Sequence, residues 1–335
     1  MCDNPPYTTL KGAQVLVTGA TGFIGQHLCA ALNGHGAHVL ALRRASSSIR
    51  PSILQQDTVE WVEADLRNRA DVERTIQPLG ATHIFNLAAL TSGDRGLGSA
   101  DEMLVSNLHG TIHLLQALEG TDYKCFIQAG SAEEYGAAPS PTREDAPLSP
   151  VSAYSATKAA ASLFCDMLSR TRGYPIVILR PFLAYGPGQT PERLIPQAII
   201  AGLKDQPFRM TSGRQTREFT YVDDIVDGFI RAAVTPAAIG HTINLGTGDP
   251  VSVSYIVSLV MELTGASNAP LMGAIPDRPG EIWSYVCDNS KARKLLGWAP
   301  VTSLSDGLTM TIEWYKDALA KKRIPSLDRL VRCPS

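Results

Sequence analysis

The chain has 335 residues, of which 44% are hydrophobic and 19% charged, proportions that are ordinary for a globular protein. Its formal net charge of −2 gives no electrostatic reason to expect nucleic acid or an anionic membrane as a partner. The six cysteines form no C-x-x-C pair, and most lie in apolar runs. We therefore expect reduced core thiols, no metal site and a cytoplasmic protein without a membrane segment.

From residue 13 onward, short β-branched runs alternate with helix-like segments. The predicted strands are QVLVTG, AHVLALRR, VEWVEADL, THIFNLAA, YKCFIQAG and YPIVILRP. The predicted helices between them are GFIGQHLCAALNGHG, RADVERTIQPLG, ADEMLVSNLHGTIHLLQALEG and AYSATKAAASLFCDMLSRTRG. This alternation predicts an α/β fold with a doubly wound parallel sheet of the Rossmann type, and the continuously apolar strands indicate that both sheet faces are covered.

The regular alternation ends in the Pro/Gly-rich stretch YGPGQTPERLIPQ. FTYVDDIVDGFIRAAV and HTINLG then predict one more helix and strand that return to the first sheet. We therefore expect a first domain over residues 11–181 plus about 219–247, and a smaller mixed α/β domain over residues 182–218 and 248–330.

VLVTGATGFIG places three glycines between the first strand and the first helix. Glycine permits the tight turn and lets the backbone approach a pyrophosphate, which the free N–H groups of the helix then stabilise. Because the triplet opens a βα series, it predicts dinucleotide binding. The predicted contacts in and beside this turn are Gly19, Thr21, Gly22, Phe23, Ile24 and Gly25.

The end of the second strand indicates which dinucleotide is bound. A site for NAD usually has an acidic residue there, whereas this strand ends in Arg43 and Arg44, followed by Ser46 and Ser47. Guanidiniums and hydroxyls suit a 2′-phosphate, so we predict NADP(H), although two solvated arginines at a strand end are the alternative. The residues placed to meet the adenine ring are Asp65 and Leu66.

YSATK places Tyr154 and Lys158 four residues apart near the start of a long helix, hence on one face. The usual pKa of a phenol, near ~10, is too high for acid–base work at neutral pH. A nearby lysine ammonium and a positive nicotinamide would favour the phenolate and lower that pKa. The pair is a candidate acid–base site, although structural helices also contain this spacing.

TGATGFIG, NLAA, Ser131, YSATK and RPFLAYGPGQ together resemble the extended short-chain dehydrogenase/reductases that act on nucleotide sugars, and REFTYVDD and RPGE fit the same family. The similarity runs from about Lys11 to Trp298. It implies that Tyr154 is the acid/base, that Lys158 holds the nicotinamide ribose and lowers the tyrosine pKa, and that Ser131 bonds the reacting sugar oxygen. It also implies hydride transfer at a sugar carbon, usually C4, and a homodimer.

The resemblance implies further contacts as well. Arg217 in TREFTYV and Arg278 in DRPGE match positions that grip the diphosphate of the substrate, a task that suits a guanidinium. Relatives often have Asn where this chain has Leu183, which cannot make that contact through its side chain. The remaining implied cofactor contacts are Leu87, Ala88, Ala89 and Pro181.

GSAEEYG bears on the reaction. In the 4,6-dehydratases of this family the residue matching Glu133 removes the C5 proton, and a neighbouring acid assists loss of the C6 hydroxyl. Ala132 occupies that acid position here, which disfavours dehydration by this route. We expect Glu134 to be a solvated residue at a strand end, and Glu133 to be a catalytic candidate or a residue that orients the substrate.

SAEEYG with SAYSATK resembles the reductases of nucleotide-bound 4-keto-6-deoxyhexoses, and RRASSS is similar to the NADP-binding loop of GDP-mannose 4,6-dehydratases and their reductase relatives. We therefore expect an NADPH-dependent enzyme of deoxysugar biosynthesis that reduces C4 of a nucleotide-diphosphate sugar. The alternatives are a 4-epimerase, a 4,6-dehydratase, a nucleotide-glucuronate decarboxylase and, more distantly, a non-catalytic cofactor-binding scaffold. The sequence leaves the base and the sugar open.

Overall fold

The computed structural model describes residues 9–47, 53–54, 56–91, 96–278, 280–321 and 323. Cys2, Cys333 and residues 324–330 of the predicted second domain therefore lie outside the described residues.

The described chain alternates strands and helices as far as residue 181 and becomes irregular beyond it. The strands are β1 (Gln14–Thr18), β2 (His38–Arg43), β3 (Glu60–Glu63), β4 (His83–Asn86), β5 (Cys125–Ala129), β6 (Ile176–Pro181), β7 (Ala184–Tyr185), β8 (Thr216–Arg217), β9 (Thr220–Tyr221), β10 (Thr242–Leu245), β11 (Val251–Ser252) and β12 (Ser284–Tyr285). The helices are α1 (Phe23–Gly34), α2 (Arg69–Ile76), α3 (Ala100–Met103), α4 (Gly110–Ala117), α5 (Ala153–Arg172), α6 (Leu194–Leu203), α7 (Val222–Val234), α8 (Val253–Thr264), α9 (Ser290–Leu296) and α10 (Leu304–Ala320).

Within the described residues, seven parallel strands form the central sheet in the order β3-β2-β1-β4-β5-β6-β10. The strand order reverses between β1 and β4, so the carboxyl ends of these two strands border a crevice where ligands bind in such sheets. The prediction of a doubly wound parallel sheet is confirmed. The late strand β10 pairs with β6, with Thr242 opposite Ile178, and so returns to the first sheet.

Alternation along β1 explains why the sheet is covered on both faces. Val15 and Val17 belong to an apolar cluster that includes Leu28 of α1 and Phe229 of α7. Leu16, between them, belongs to a separate cluster formed with α2 and α4. Successive strand residues point to opposite faces, so each strand contributes to both cores.

A second group of elements follows residue 182. It contains the small sheets β11-β8-β12 and β7-β9. Its own apolar cluster is formed mainly by residues of α6, α8 and α10, such as Ile199, Val257 and Ile312. The strand β8 carries Arg217, one of the predicted diphosphate contacts, so this part of the fold positions one side of the candidate site.

The prediction of a helix over residues 100–120 is confirmed as far as Ala117, with a π-helical segment inside it. The chain forms α3, then a π-helical segment at Leu104–His109, then α4. Within that segment the buried Asn107 side chain accepts a hydrogen bond from Leu90 N at 2.7 Å and donates to Thr157 Oγ1 of α5 at 3.0 Å. Local helical propensity does not reveal such long-range bonds, and π-helical turns of this kind are frequent near functional sites.

Two observations concern membranes and metals. Among the described helices, none combines the length and apolarity that a bilayer crossing requires. The described residues also contain no cluster of three or more His, Cys, Asp or Glu side chains that could hold a metal ion. The prediction of buried free thiols is confirmed at four positions: Cys29, Cys125, Cys165 and Cys287.

Candidate active site

The glycine turn between β1 and α1 brings backbone segments into close contact. A Cβ atom on Gly19, whose φ is +67°, would lie 2.8 Å from Ala88 N, and one on Gly25 would lie 2.1 Å from Gly19 O. Larger residues at either position would therefore push α1 away from the ends of β1 and β4. Gly22 caps α1 without a side-chain hydrogen bond, which leaves the first N–H groups of the helix available to an anion.

A cleft of about 260 Å³ opens beside this turn, at the carboxyl ends of β1 to β4. Ten of the predicted cofactor residues line it: Gly19, Thr21, Gly22, Arg43, Arg44, Asp65, Leu66, Leu87, Ala88 and Ala89. Seven others, including Tyr154 and Lys158, which were also expected to contact the cofactor, lie outside its lining: Phe23, Ile24, Gly25, Ser46, Tyr154, Lys158 and Pro181. Gly25 shapes the turn from behind, whereas Ser46 is exposed and its neighbour Ser47 lines the cleft instead.

The two arginines at the end of β2 differ in their surroundings. Arg43 donates to Glu63 Oε1 at 2.6 Å and lies over the Trp61 ring at 5.3 Å. Arg44 is exposed. Arg67, which the sequence analysis missed, also lines the cleft, and its hydrogen bonds to Asp65 hold the pKa of that carboxyl below its ordinary value. Arg44 is therefore the better placed of the two arginines to meet an added anionic group.

A second cleft, of about 250 Å³, adjoins the first along the loop after β4, because Leu90 lines one and Thr91 the other. Five residues discussed in the sequence analysis line it: Glu133, Tyr154, Leu183, Arg217 and Arg278. Eight further lining residues were missed, among them Arg193, Glu281 and Tyr285. Arg193 lies in the Pro/Gly-rich stretch PERLIP, where a basic residue just before a helix was the available signal.

Tyr154 lies at the start of α5 and lines the second cleft. Burial raises the pKa of the Tyr154 phenol well above its ordinary value, and the negative charge of Glu133 raises it further. The Ser131 side chain and the positive charge of Arg193 lower the pKa of the phenol. In this arrangement the phenol is a protonated group, able to donate.

Lys158 points toward β5. Its ammonium group donates to the backbone oxygen of Ala129, and burial lowers its pKa while the charge of Glu134 opposes that effect. The role that the resemblance implies for Lys158, to lower the pKa of the tyrosine, stays a prediction.

The expectation of a solvated Glu134 is wrong. This residue is 0% exposed, and its carboxylate accepts from Ser131 N at 2.8 Å and from Arg180 Nε at 2.8 Å. Glu133, its neighbour, is exposed at the rim of the second cleft. The two residues diverge because the chain turns through a 3-10 helix at Ala132–Tyr135, which directs consecutive side chains to different sides.

Three guanidinium groups converge on the second cleft. Arg217 is half-buried and is held by Glu281 Oε1 at 2.8 Å and by the backbone oxygen of Ile282 at 2.7 Å. Arg278 and Arg193 are exposed and line the same cleft. Guanidinium groups that line one cleft can together donate hydrogen bonds to a diphosphate, and the contacts to Glu281 and Ile282 hold the guanidinium of Arg217 in place.

Comparison with known proteins now identifies the family. The NAD dependent epimerase/dehydratase family matches residues 15–246. The chain belongs to this family.

Members of the epimerase/dehydratase family resemble the chain over almost its full length. It is 31% identical to a UDP-glucose 4-epimerase of Mycolicibacterium smegmatis over 91% of this chain and 99% of the relative. It is 33% identical to a dTDP-glucose 4,6-dehydratase of Streptomyces griseus over 90% of this chain and 93% of the relative. The structure of a UDP-glucuronic acid 4-epimerase from Bacillus cereus, in complex with UDP-glucuronic acid and NAD, superposes with a TM-score of 0.80 at 31% identity, covering 91% and 99% of the two chains.

The structure also places the two residues at which the sequence differs from the pattern that the resemblance implies. Ala132, where the resemblance implies the acid of the dehydratases, is buried in an apolar cluster with Tyr135, Phe182 and Tyr285. Leu183, where the resemblance implies Asn, lines the second cleft with an aliphatic side chain.

Proposed function

We propose that this protein catalyses hydride transfer at C4 of a nucleotide-diphosphate sugar, with NADP(H) as its cofactor, in the direction that reduces a 4-keto sugar. The observation that carries the proposal is that the Tyr154 phenol opens on the same cleft as three arginines, Arg193, Arg217 and Arg278. A protonated phenol beside a diphosphate-binding surface is the arrangement that such a substrate requires.

The first cleft fits a dinucleotide. Its glycine turn leaves no room for a Cβ at Gly19 or Gly25, and it presents the uncapped N-terminus of α1. When bound, the nicotinamide would supply the hydride. The exposed Arg44 and the hydroxyl of Ser47 support a preference for the 2′-phosphate of NADP(H).

The second cleft supports the roles of the polar residues. Arg217, with Arg278 and Arg193, would hold the diphosphate and so place the sugar ring against Tyr154. Ser131 and Tyr154 would bond the C4 oxygen, and the phenol would protonate the alkoxide that forms there. Lys158, bonded to the Ala129 oxygen beneath, would orient the ribose.

The choice of reduction over dehydration rests on Ala132. A 4,6-elimination needs separate acid and base groups, and the buried methyl of Ala132 cannot supply the acid. A 4-epimerase is the second candidate, which the 31% identity to the M. smegmatis UDP-glucose 4-epimerase favours. An epimerase would use the same residues and recycle its cofactor.

Substrate incubation separates these candidates. The purified protein would be mixed with NADPH and a UDP-, dTDP- or GDP-linked 4-keto-6-deoxyhexose, and separately with UDP-glucose and no added cofactor. We expect stoichiometric oxidation of NADPH with the keto sugars. Interconversion of UDP-glucose and UDP-galactose without NADPH consumption would replace the reductase proposal with the epimerase, and inertness toward every nucleotide sugar would refute both.

The cofactor preference has its own test. We expect NADPH to bind more tightly than NADH, and Arg44→Ala to reduce that preference by roughly tenfold, as loss of a charge-assisted contact would. Arg69→Ala is the matched control, because Arg69 is an exposed arginine that pairs with Glu73 outside the cleft. Equal or tighter NADH binding by the unchanged protein would refute the NADP(H) assignment. The homodimer and the cytoplasmic location stay predictions.

A further inference from the structure

A buried carboxylate lies directly beneath the candidate catalytic turn. Glu134 is 0% exposed, and its Oε1 accepts from Ser131 N at 2.8 Å and from Ser162 Oγ at 2.9 Å. Its Oε2 accepts from Arg180 Nε at 2.8 Å. One carboxylate thus joins the turn after β5, the helix α5 and the strand β6.

Arg180 extends this network away from the clefts. It is 5% exposed, donates from Nη1 to Tyr135 Oη at 2.8 Å and lies 4.6 Å from the centre of the Tyr135 ring. The Tyr135 hydroxyl donates in turn to Asn244 Oδ1 on β10 at 2.8 Å. A buried ion pair is weak evidence for a gain in stability, because apolar residues of similar volume often stabilise a fold equally well. The hydrogen-bonding geometry of the Glu134–Arg180 pair is therefore more informative than its charge alone.

The same carboxylate lies close to the proposed acid–base pair. Lys158 and Ser162 are four residues apart on α5 and share a face. The Lys158 ammonium donates to the Ala129 oxygen at the end of β5, immediately before the turn that Glu134 holds. Glu134 therefore places its negative charge between the base of the turn and the helix that carries Tyr154.

We propose that Glu134 is a positioning residue for the proposed C4 chemistry, which holds the Ser131 turn against α5 and supplies the fixed negative charge that the buried Lys158 faces. The inference rests on the proposed function. The Glu134 carboxylate lines neither cleft, so its proposed role involves no direct contact with the substrate.

The charge of Glu134 raises the pKa of both Lys158 and Tyr154. Other groups act on the same pair. Burial lowers the pKa of Lys158 and Cys165 raises it, whereas burial and Glu133 raise the pKa of Tyr154, and Ser131 and Arg193 lower it. Neutralising Glu134 while leaving these groups in place should therefore move the titration of Tyr154 to lower pH.

The test compares Glu134→Gln with Tyr135→Phe. The second variant is the matched control, because it removes the far hydrogen bonds of the network and leaves the Glu134 contacts to Ser131 and Ser162 intact. For Glu134→Gln we expect kcat to fall by about tenfold or more, KM to change by less than about threefold, and the pH profile of kcat to move to lower pH. For Tyr135→Phe we expect a lower Tm with kcat within about twofold of wild type and an unmoved pH profile.

Identical pH profiles in the two variants would overturn the proposal, since a merely structural role would affect both in the same way. Should Glu134→Gln fail to fold, the double variant Glu134→Leu with Arg180→Met removes both buried charges together, and its kcat must then fall by about tenfold or more, because the contacts to Ser131 and Ser162 are lost. The Tyr154 phenol can also be titrated by ultraviolet difference spectra against Tyr154→Phe. That titration needs no turnover. An inactive wild type would refute the proposed function, whereas the effect of Glu134 on the Tyr154 titration could still be measured.

Discussion

At the scale of single residues, the surroundings of Tyr154 determine its chemistry. Burial and the Glu133 charge raise the pKa of its phenol, so it is protonated at neutral pH and suited to donate to a forming alkoxide. The Lys158 ammonium is engaged by a backbone oxygen at the end of β5. Its carboxylate neighbours raise the pKa of the phenol, whereas Ser131 and Arg193 lower it.

Tyr154→Phe removes the proposed proton donor. We expect turnover to fall by about 100-fold or more, while cofactor affinity stays within about threefold, because the phenol lies in the second cleft. Tyr255→Phe is the control, since Tyr255 is 54% exposed on α8. Steady-state kinetics and cofactor titration measure the two quantities, and undiminished turnover in Tyr154→Phe would exclude the mechanism.

Glu133→Gln removes a negative charge beside Tyr154. Because the Glu133 charge raises the pKa of the phenol, its loss should lower that pKa and move the pH profile of kcat to lower pH. The profile is measured across the stable range of the protein, with Glu262→Gln on the surface of α8 as the control. A profile unchanged in Glu133→Gln would contradict the assigned electrostatic effect.

At the scale of elements, the glycine turn controls how α1 meets the sheet. A Cβ on Gly25 would lie 2.1 Å from Gly19 O. The backbone at Gly19 and the backbone at Gly25 belong to the same turn, so neither can move away without the other. The end of α1 at Gly34 is different, since a Cβ there would have nothing within 4 Å. In α1, close contacts therefore require glycine at Gly25 but not at Gly34.

Gly25→Ala and Gly34→Ala exploit this contrast. We expect Gly25→Ala to cost about 1–3 kcal/mol of unfolding free energy and to weaken dinucleotide binding at least about tenfold, because α1 must shift. Gly34→Ala should be neutral or slightly stabilising, by up to about 1 kcal/mol. Urea unfolding and fluorescence titration of the cofactor measure the effects, and equal behaviour of the two variants would show that the turn tolerates a side chain.

At the scale of the whole molecule, one buried carboxylate joins segments that are distant in sequence. Glu218 follows β8, is 0% exposed, and accepts from Gly248 N at 2.5 Å and from Cys287 N at 2.9 Å. It thereby fixes the loop after β10 and the residues after β12 around the strand that carries Arg217. The second cleft depends on this connection, because Arg217 and Tyr285 reach it from two of those segments.

Glu218→Gln should destabilise the fold by about 1–3 kcal/mol near pH 7, because an amide N–H₂ would face backbone donors.

Burial also raises the pKa of the Glu218 carboxyl, with hydrogen bonds from Gly248 and Cys287 opposing it. The folded state then keeps this proton to higher pH than the unfolded chain, so this group's contribution to stability falls as pH rises through that range. Measured at several pH values, the unfolding free energy of the variant should fall less with rising pH than that of the wild type. A steeper fall in the variant would contradict this account. Glu262→Gln again serves as the exposed control.

The sequence by itself determined the elements whose signal is local. Alternating apolar strands and helices predict the parallel sheet because covered strands must be apolar on both faces, and the glycine triplet predicts the turn because only glycine fits its backbone. Tertiary structure alone decided the rest. Glu133 and Glu134 are adjacent and chemically alike, yet one is exposed at a cleft and the other is buried against Arg180, which lies on a strand 46 residues later. Likewise Asn107 lies in a π-helical segment and bonds across the fold to Leu90 and Thr157, and Arg193 reaches the second cleft from the position just before α6. Burial and long-range pairing depend on which segments meet in space, and no pattern of neighbouring residues specifies that.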